Sequence, residues 1–365
     1  AGTGTTSVGA IGAGTEIGAV TIGSDQNGAI TLNGAITTTG AVSLDGPVSL
    51  ATGAITVDSS GGDAAISFLH TIDGAQNLTL SSGGGAINVA QGIGLTNALS
   101  ALTINSGGSG TIEIFDIGDD SVGVTGATAI GNTNTTTVTL DGTVYKTTGA
   151  QVYTATAGDN IDITNASNAA FTTTNTAITF GTANIELADG VDLTLDSGAG
   201  AGNITLVSID GHSSEAVTID AGTGTTSVGA IGAGTEIGTL SIGSAQNGGI
   251  TLNGAITTDG VITIDGPITL ATAAITITTA DDNINLQGTV DGGKALTLAS
   301  GSGAVTVDGA IGSGTALTAL TVNSEGAGTV EITNIGTSSA AGVTGATAIG
   351  NTSTGTLTLD GTVYT

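Results

Sequence analysis

The chain of 365 residues contains no Cys, no Met and no Trp, and it has only two Pro. The absence of Cys excludes disulfides, zinc–thiolate sites and thiol nucleophiles. No apolar run reaches the roughly 18 residues that a membrane-spanning helix requires. Because the chain lacks Met, we expect it to be a segment of a longer translated product, so the absence of a signal peptide carries no information about export.

Positive charge is nearly absent as well. Two Lys and no Arg stand against 30 Asp and Glu, which gives a net charge of −28. Nucleic acids and anionic membrane surfaces are therefore not expected partners, because binding them requires a basic surface. Two hypotheses account for the acidity: like charge that keeps long fibres soluble, and binding of Ca²⁺ by acidic turns.

Aromatic residues make up only 2% of the chain, whereas Gly occurs 64 times and 39% of the residues are hydrophobic. Disordered chains are poor in apolar and β-branched residues. This chain is rich in Ile, Val, Leu and Ala, so the composition predicts a folded protein with a thin aliphatic core.

The sequence repeats itself over a long period. Ala1–Gly18 is identical to Ala221–Gly238, a displacement of 220 residues, and Gly28–Leu50 resembles Gly248–Leu270. The match continues to Tyr364 with a slightly shorter offset. We therefore predict one continuous solenoid, with a first long repeat over 1–220, a second, truncated copy over 221–365, and no separate globular domain.

Short strands alternate with turns along the whole chain. The recurring pattern is two apolar β-formers around one small polar residue, as in Val20-Thr21-Ile22, followed by Gly, Asn, Asp or Ser. Such alternation predicts strands with one apolar face, and the residues that follow favour tight turns. No stretch shows helical periodicity with helix caps.

The spacing of these strands indicates the fold class. One series begins at Val20, Val42, Ile66, Ile87 and Ile112, and a second begins at Ile30, Ile55, Leu78 and Leu102. Both series have a mean step of about 23 residues, which predicts an all-β parallel β-helix (β-solenoid) with two or three parallel sheets. Crossover preference favours a right-handed coil. At ~4.8 Å per coil, about sixteen coils give a length on the order of 75 Å.

The phrases at Gly28–Leu50 and Thr147–Thr164 resemble the β-strand-repeat regions of filamentous-haemagglutinin-like exoproteins and other giant bacterial surface adhesins. The resemblance covers nearly the whole chain as a style of sequence, and it carries no binding residues over. It implies a right-handed parallel β-helix shaft, secretion across an outer membrane, and a role in adhesion or matrix building. The secretion-signal domain of that family is not seen in this sequence.

Candidate catalytic residues are weak. Gly118-Asp119-Asp120 together with His212 resembles the paired carboxylates of β-helix polysaccharide hydrolases, but the second copy has Gly336-Thr337-Ser338 at that place. Asp210, His212 and Ser213 are too close in sequence to predict a triad. We therefore predict no enzyme and assign no catalytic, cofactor-binding or metal-ligating residue. Regular Thr ladders mark ice-binding solenoids, but Thr is explained here as a good β-former.

Calcium is the one ion that the sequence suggests, with Ser24–Gly28 and Ala280–Asn283 as the acidic turns. The aromatic side chains Tyr145, Tyr153, Phe171 and Phe180 lie close together in the sequence, which predicts local core filling or, alternatively, a carbohydrate-stacking face.

The function predicted from these observations is a structural, non-enzymatic shaft of an extracellular bacterial fibre, adhesin or surface or biofilm-matrix layer. Self-association or continuation into a filament supplies the expected partner. The first alternative is a carbohydrate-binding adhesin that contacts glycans or a cell surface through a lateral face, and the second is a β-helix polysaccharide-active enzyme.

Overall fold

The computed structural model of the chain describes residues 3–23, 28–105, 109–165, 167–244, 248–323 and 328–365. It is an all-β parallel solenoid of about 14 turns with roughly 24 residues per turn, slightly fewer turns than the sixteen expected. Within the described residues the sole helical element is a 3₁₀ turn at Ser60–Gly62. The chain divides into two compact units, Ala1–Glu186 and Leu187–Thr365. The division between these units follows packing and therefore differs from the repeat boundary at 220/221, which follows sequence identity.

Three ladders of parallel strands form the first unit, because each turn contributes one short strand or bridge to each ladder. The first ladder contains Thr6–Val8, Ile30–Leu32, Val48–Leu50, Ile72–Asp73, Val144–Lys146 and Ala169–Thr172, with bridges at Ile93 and Ile117. The second contains Ile36–Thr37, Ile55–Asp58, Asn77–Ser81, Ala101–Asn105, Thr128–Ile130, Gln151–Thr154 and Ile178–Leu187. The third contains Val20–Gly23, Val42–Asp45, Ile66–Phe68, Ile87–Val89, Ile112–Ile114, Val138–Leu140 and Asn160–Ile163.

The second unit also has three ladders of parallel strands, numbered here by the sequence equivalence of their strands to those of the first unit. The first contains Ile204–Asp210, Thr226–Ile231, Ile250–Leu252, Ile268–Leu270 and Val290–Asp291, with bridges at Ile311 and Ile335. The second contains Ile256–Thr258, Ile275–Thr279, Ala295–Ala299, Ala319–Asn323 and Thr347–Ile349, and the two longest first-ladder strands also extend into it. The third contains Leu193–Asp196, Ala216–Asp220, Thr239–Ile242, Ile262–Ile264, Ile284–Leu286, Val305–Val307, Thr329–Ile332 and Thr356–Leu359.

The first predicted series of strands is confirmed as a ladder. Val20 pairs with Val42, Val42 with Ile66, Ile66 with Ile87, and Ile87 with Ile112. Register follows the hydrophobic pattern, because a slip of one residue would turn every apolar side chain outward.

The second predicted series is wrong at its first member. Ile55, Leu78 and Leu102 are register partners, but Ile30 pairs with Val48 in the first ladder, and the second-ladder strand of that coil is Ile36–Thr37. Each coil has three strands, so two interlaced series are too few to assign every strand to its face.

The core of each unit consists of columns of stacked aliphatic side chains. Ile66, Ile87, Ile112, Val138 and Ile161 follow one another in the third ladder, and each is at most 1% exposed. Burial of one such side chain contributes about 1.5–3 kcal/mol. A thin core is therefore sufficient when every turn adds several of these side chains.

The identical 18-residue runs have different surroundings. In the second unit Thr226–Ile231 pairs with Ile204–Asp210 on one side and Ile250–Leu252 on the other. The equivalent Thr6–Val8 pairs with Ile30–Leu32. Ile17 is 42% exposed, whereas its counterpart Ile237 is fully buried.

Candidate functional site

Carboxylate and amide side chains at the corners of the coils bind the backbone of the next coil. Five of them, here called the corner clamps, each accept two backbone N–H groups through one side-chain oxygen. The clamps and the residues whose N–H groups they accept are Asp73 (from Thr96 and Asn97), Asp116 (from Thr143 and Val144), Asp210 (from Gly234 and Thr235), Asp291 (from Gly314 and Thr315) and Asn334 (from Thr362 and Val363).

The clamps provide hydrogen-bond acceptors for backbone N–H groups at the corners of the coils. The backbone leaves the ladder at a corner, so its N–H groups lose their regular carbonyl partners, and buried or half-buried N–H groups without partners are costly. Asp116 Oδ1 lies 2.7 Å from the N of Thr143 and 2.9 Å from the N of Val144. A carboxylate that accepts N–H bonds makes stronger hydrogen bonds than a neutral acceptor.

The two sequence copies use the same clamps. Asp73 corresponds to Asp291, and both make two short bonds of 2.7–3.0 Å. Asp116 corresponds to Asn334, which accepts its two N–H groups at 3.0 and 3.1 Å. The amide replaces the carboxylate with the same geometry, so the clamp requires an acceptor oxygen and does not require a charge.

Other acidic and amide side chains accept one N–H group from the next coil. These are Asp63, Asp192, Asn203, Asp281 and Asn283, with N···O distances of 2.7–2.9 Å. The hydrogen bond from the backbone N–H of Ser302 lowers the pKa of Asp281 below its ordinary value. Part of the acidity of the chain therefore has a structural use that the sequence patterns did not indicate.

The two turns predicted to bind calcium are Ser24–Gly28 and Ala280–Asn283. Ser24–Asn27 lies outside the described residues. In the other turn, Asp281 accepts the Ser302 N–H and Asn283 accepts the Ala304 N–H. Across the part of the chain that the structure describes, no group of three or more His, Asp or Glu side chains is arranged to hold a metal ion. Calcium binding stays a hypothesis.

Glu215 is a buried carboxylate in the second unit. Its oxygens accept the N–H groups of Gly190 at 3.0 Å, His212 at 2.6 Å and Ser214 at 3.2 Å, and the Ser214 hydroxyl at 2.9 Å. Burial raises the pKa of Glu215, but the hydrogen bonds from His212, Gly190 and Ser214 together with its own backbone N–H outweigh burial, so the pKa lies below its ordinary value. Glu215 thereby holds a loop in which Ser213 has a φ of 78°.

The four clustered aromatic side chains fill the core of the first unit, as one of the two predictions stated. Tyr145, Tyr153, Phe171 and Phe180 are all fully buried. Tyr145 and Phe171 are register partners with parallel rings 4.4 Å apart, and Tyr153 and Phe180 are register partners 4.9 Å apart. Their burial leaves no ring face for a sugar, so this cluster does not form the alternative carbohydrate-stacking face.

Gln151 binds polar groups beside the aromatic cluster. Its Nε2 donates to the carbonyl oxygens of Tyr145 at 2.8 Å and Thr172 at 3.0 Å, and its Oε1 accepts the Tyr153 hydroxyl at 3.0 Å. Gln151 is itself fully buried. These hydrogen bonds stabilise the cluster, because a buried polar group without a partner destabilises the fold.

The residues considered as weak catalytic candidates take part in hydrogen bonds within the fold. Asp119 accepts the Ser121 N–H at 2.7 Å, which lowers its pKa, and the carbonyl of Asp120 accepts Lys146 Nζ at 2.6 Å. Asp210 is a corner clamp, while the backbone N–H of His212 donates to Glu215. The backbone N–H of Ser213 donates to the Glu236 carbonyl at 2.7 Å.

No protein-family model, no curated protein and no solved structure matches the chain. Among the described residues there is no helix that is long and apolar enough to cross a membrane.

Sequence patterns located the strands and the aromatic core but missed the clamps and Glu215. An Asp in a Gly-rich turn suggests a solvated residue, and its true partners lie 21–28 residues further along. The one usable signal is the recurrence of Asp73 as Asp291 at the same distance after an apolar strand residue.

Proposed function

We propose that the chain is part of the non-enzymatic shaft of an extracellular bacterial fibre, adhesin or surface layer. The observation that carries the proposal is the set of three parallel ladders in each unit, in which every coil pairs with the next in register. An arrangement of this kind transmits load through backbone hydrogen bonds, and each repeat contacts only its neighbours.

Two further features support a mechanical role. The corner clamps bind each coil to the next at places where the ladders are interrupted, as at Asp116 and Asn334. The aromatic rings at Tyr145–Phe180 are buried and stabilise the stack, which favours the shaft over the carbohydrate-binding alternative.

The test is to locate the native protein on intact cells with antibodies raised against the 365-residue chain. We expect surface labelling, loss of the signal after treatment with a broad-specificity protease, and retention of a cytosolic marker in the same cells. Trypsin is a poor choice, since the chain has only two Lys and no Arg. Labelling that appears only after the cells are opened would overturn the proposal.

A further inference from the structure

An exposed apolar strip crosses the third ladder of the first unit. It consists of Leu69, Ala90 and Phe115, here called the lateral strip. Leu69 is 42% exposed and Phe115 is 41% exposed. Phe115 is the one exposed Phe of the chain, because Phe68, Phe171 and Phe180 are fully buried.

Register brings these three side chains together. Phe68, Val89 and Ile114 are register partners in consecutive coils, so the residue that follows each of them occupies the same place on the outer surface. Backbone bonds from the N of Ala90 to the O of Phe68 and from the N of Phe115 to the O of Val89 continue the ladder there. Neighbouring members are therefore about 4.8 Å apart.

A shallow cleft adjoins the ring of Phe115. It has a volume of about 230 Å³ and is lined by Val89, Ala90, Glu113, Ile114, Phe115 and Asp141. The small side chain of Ala90 leaves this space open beside the larger ring.

Two carboxylates flank the ring. Glu113 precedes Phe115 by two residues and so lies on the same face of the strand. Asp141 follows Leu140, the register partner of Ile114, and therefore occupies the position of Phe115 in the next coil. The Thr164 hydroxyl donates to Asp141.

The second unit provides a natural comparison. Its corresponding strip is Gln287, Asp308 and Thr333, which is polar throughout, although Glu331 and Asp360 retain the two acids. Acidic side chains thus occur at this place in both copies, whereas the apolar strip with its aromatic ring belongs to the first copy alone.

We propose that the lateral strip binds a lysine side chain of a partner polypeptide. The ammonium group lies over the face of Phe115, where the ring quadrupole attracts a cation, and close to the carboxylates of Glu113 and Asp141. The apolar stem of the lysine packs along Ala90 and Leu69. The net charge of −28 draws basic partners toward the surface. This proposal is independent of the proposed shaft function.

The test uses NMR of the whole chain with ¹³C-labelled Phe rings, because only four Phe are present and three of them are buried. The protein is titrated with a short peptide whose only charged side chain is one lysine, and separately with the same peptide carrying an ε-acetylated lysine. We expect the Phe115 ring signals to shift with the lysine peptide only, and the shift to weaken with added salt. Equal shifts with both peptides would overturn the proposal, because they would show apolar contact without cation recognition.

Variants separate the site from general attraction to an acidic protein. Phe115→Thr installs the residue of the second copy without changing the charge. We expect this variant to bind the lysine peptide about two- to fivefold more weakly, measured from the backbone amide NMR signals near Ala90. Glu113→Gln is expected to weaken binding, whereas the matched Glu331→Gln leaves it unchanged. Equal losses in Glu113→Gln and Glu331→Gln, with no loss in Phe115→Thr, would contradict the proposed site. Unchanged thermal unfolding of each variant verifies that the fold is intact.

Discussion

The ring of Tyr145 lies parallel to the ring of Phe171 one coil further along, with 4.4 Å between the centroids and 7° between the planes. The two residues are register partners in the first ladder. Three further edge-to-face contacts join this pair to Tyr153 and Phe180. Most of the few aromatic residues of the chain are thus concentrated in one place, where Tyr145 follows Ile117 and Tyr153 follows Ile130 in register.

Truncation of this cluster tests its contribution to stability. We expect Phe171→Ala to lower the free energy of unfolding by about 3–5 kcal/mol, because it removes a fully buried ring and leaves a cavity. Phe171→Leu is expected to cost less. Chemical denaturation followed by far-UV circular dichroism measures both, with the exposed Phe115→Ala as the control. A loss for Phe171→Ala no larger than that control would contradict the account.

The corner clamps predict different effects for two substitutions of Asp116. Asp116→Ala leaves the N–H groups of Thr143 and Val144 without an acceptor, so we expect a loss of about 1–3 kcal/mol. Asp116→Asn is expected to stay close to the parent protein, because Asn334 makes the equivalent bonds in the second copy. Denaturant midpoints of the two variants provide the comparison. If Asn were as damaging as Ala, charge and not the acceptor oxygen would control the clamp.

Two glycines in identical sequences are predicted to tolerate Ala differently. A Cβ at Gly229 would lie 1.6 Å from the carbonyl oxygen of Val207, whereas a Cβ at Gly9 would have no neighbour within 4 Å. We expect Gly229→Ala to destabilise the fold by about 1–3 kcal/mol or more, and Gly9→Ala to change it by less than about 0.5 kcal/mol. Thermal unfolding of the paired variants of the 365-residue chain measures the difference. Equal effects would mean that local conformation, and not the approach of the preceding coil, requires glycine.

Glu215 predicts a pH dependence of stability. Its pKa is lower in the folded chain than the ordinary value of 4.5, so the unfolded chain binds its proton more readily. The carboxylate therefore stabilises the fold above the unfolded pKa, and this contribution is lost as the pH falls through the folded pKa. Glu215→Gln is expected to be less stable at neutral pH and to approach the parent protein in acid. A stability difference that stays constant with pH would contradict this role.

The pKa of Asp162 is shifted in the opposite direction to that of Glu215. Burial raises its pKa above the ordinary value of 3.8, so the charged form is disfavoured in the folded chain. We expect Asp162→Asn to be slightly more stable than the parent protein at neutral pH, with the gain disappearing as the pH falls through the raised pKa toward the unfolded one. Urea unfolding at several pH values checks both the size and the direction of the change, and a destabilised variant at neutral pH would exclude this account of Asp162.

The sequence predicted the fold class from strand spacing, because the alternation of apolar and small polar residues recurs with nearly constant steps. It placed Val20, Val42, Ile66, Ile87 and Ile112 in one ladder correctly. Ile30 was misplaced because Ile30-Thr31-Leu32 has the same pattern as Ile55-Thr56-Val57, and the pattern contains no information about which face a strand joins.

The functional details were less accessible. The partners of Asp116 lie 27 and 28 residues away, and coil lengths vary too much for the sequence alone to bring such positions together. The lateral strip was missed for the same reason: Leu69, Ala90 and Phe115 are separated by more than 20 residues, and they become neighbours only through register.

Electron microscopy of the native material, together with its axial power spectrum, tests the proposed shaft. We expect thin, unbranched filaments with an axial repeat of ~4.8 Å, the spacing of parallel strands stacked along the fibre. Compact, monodisperse particles without that repeat would contradict the proposed shaft.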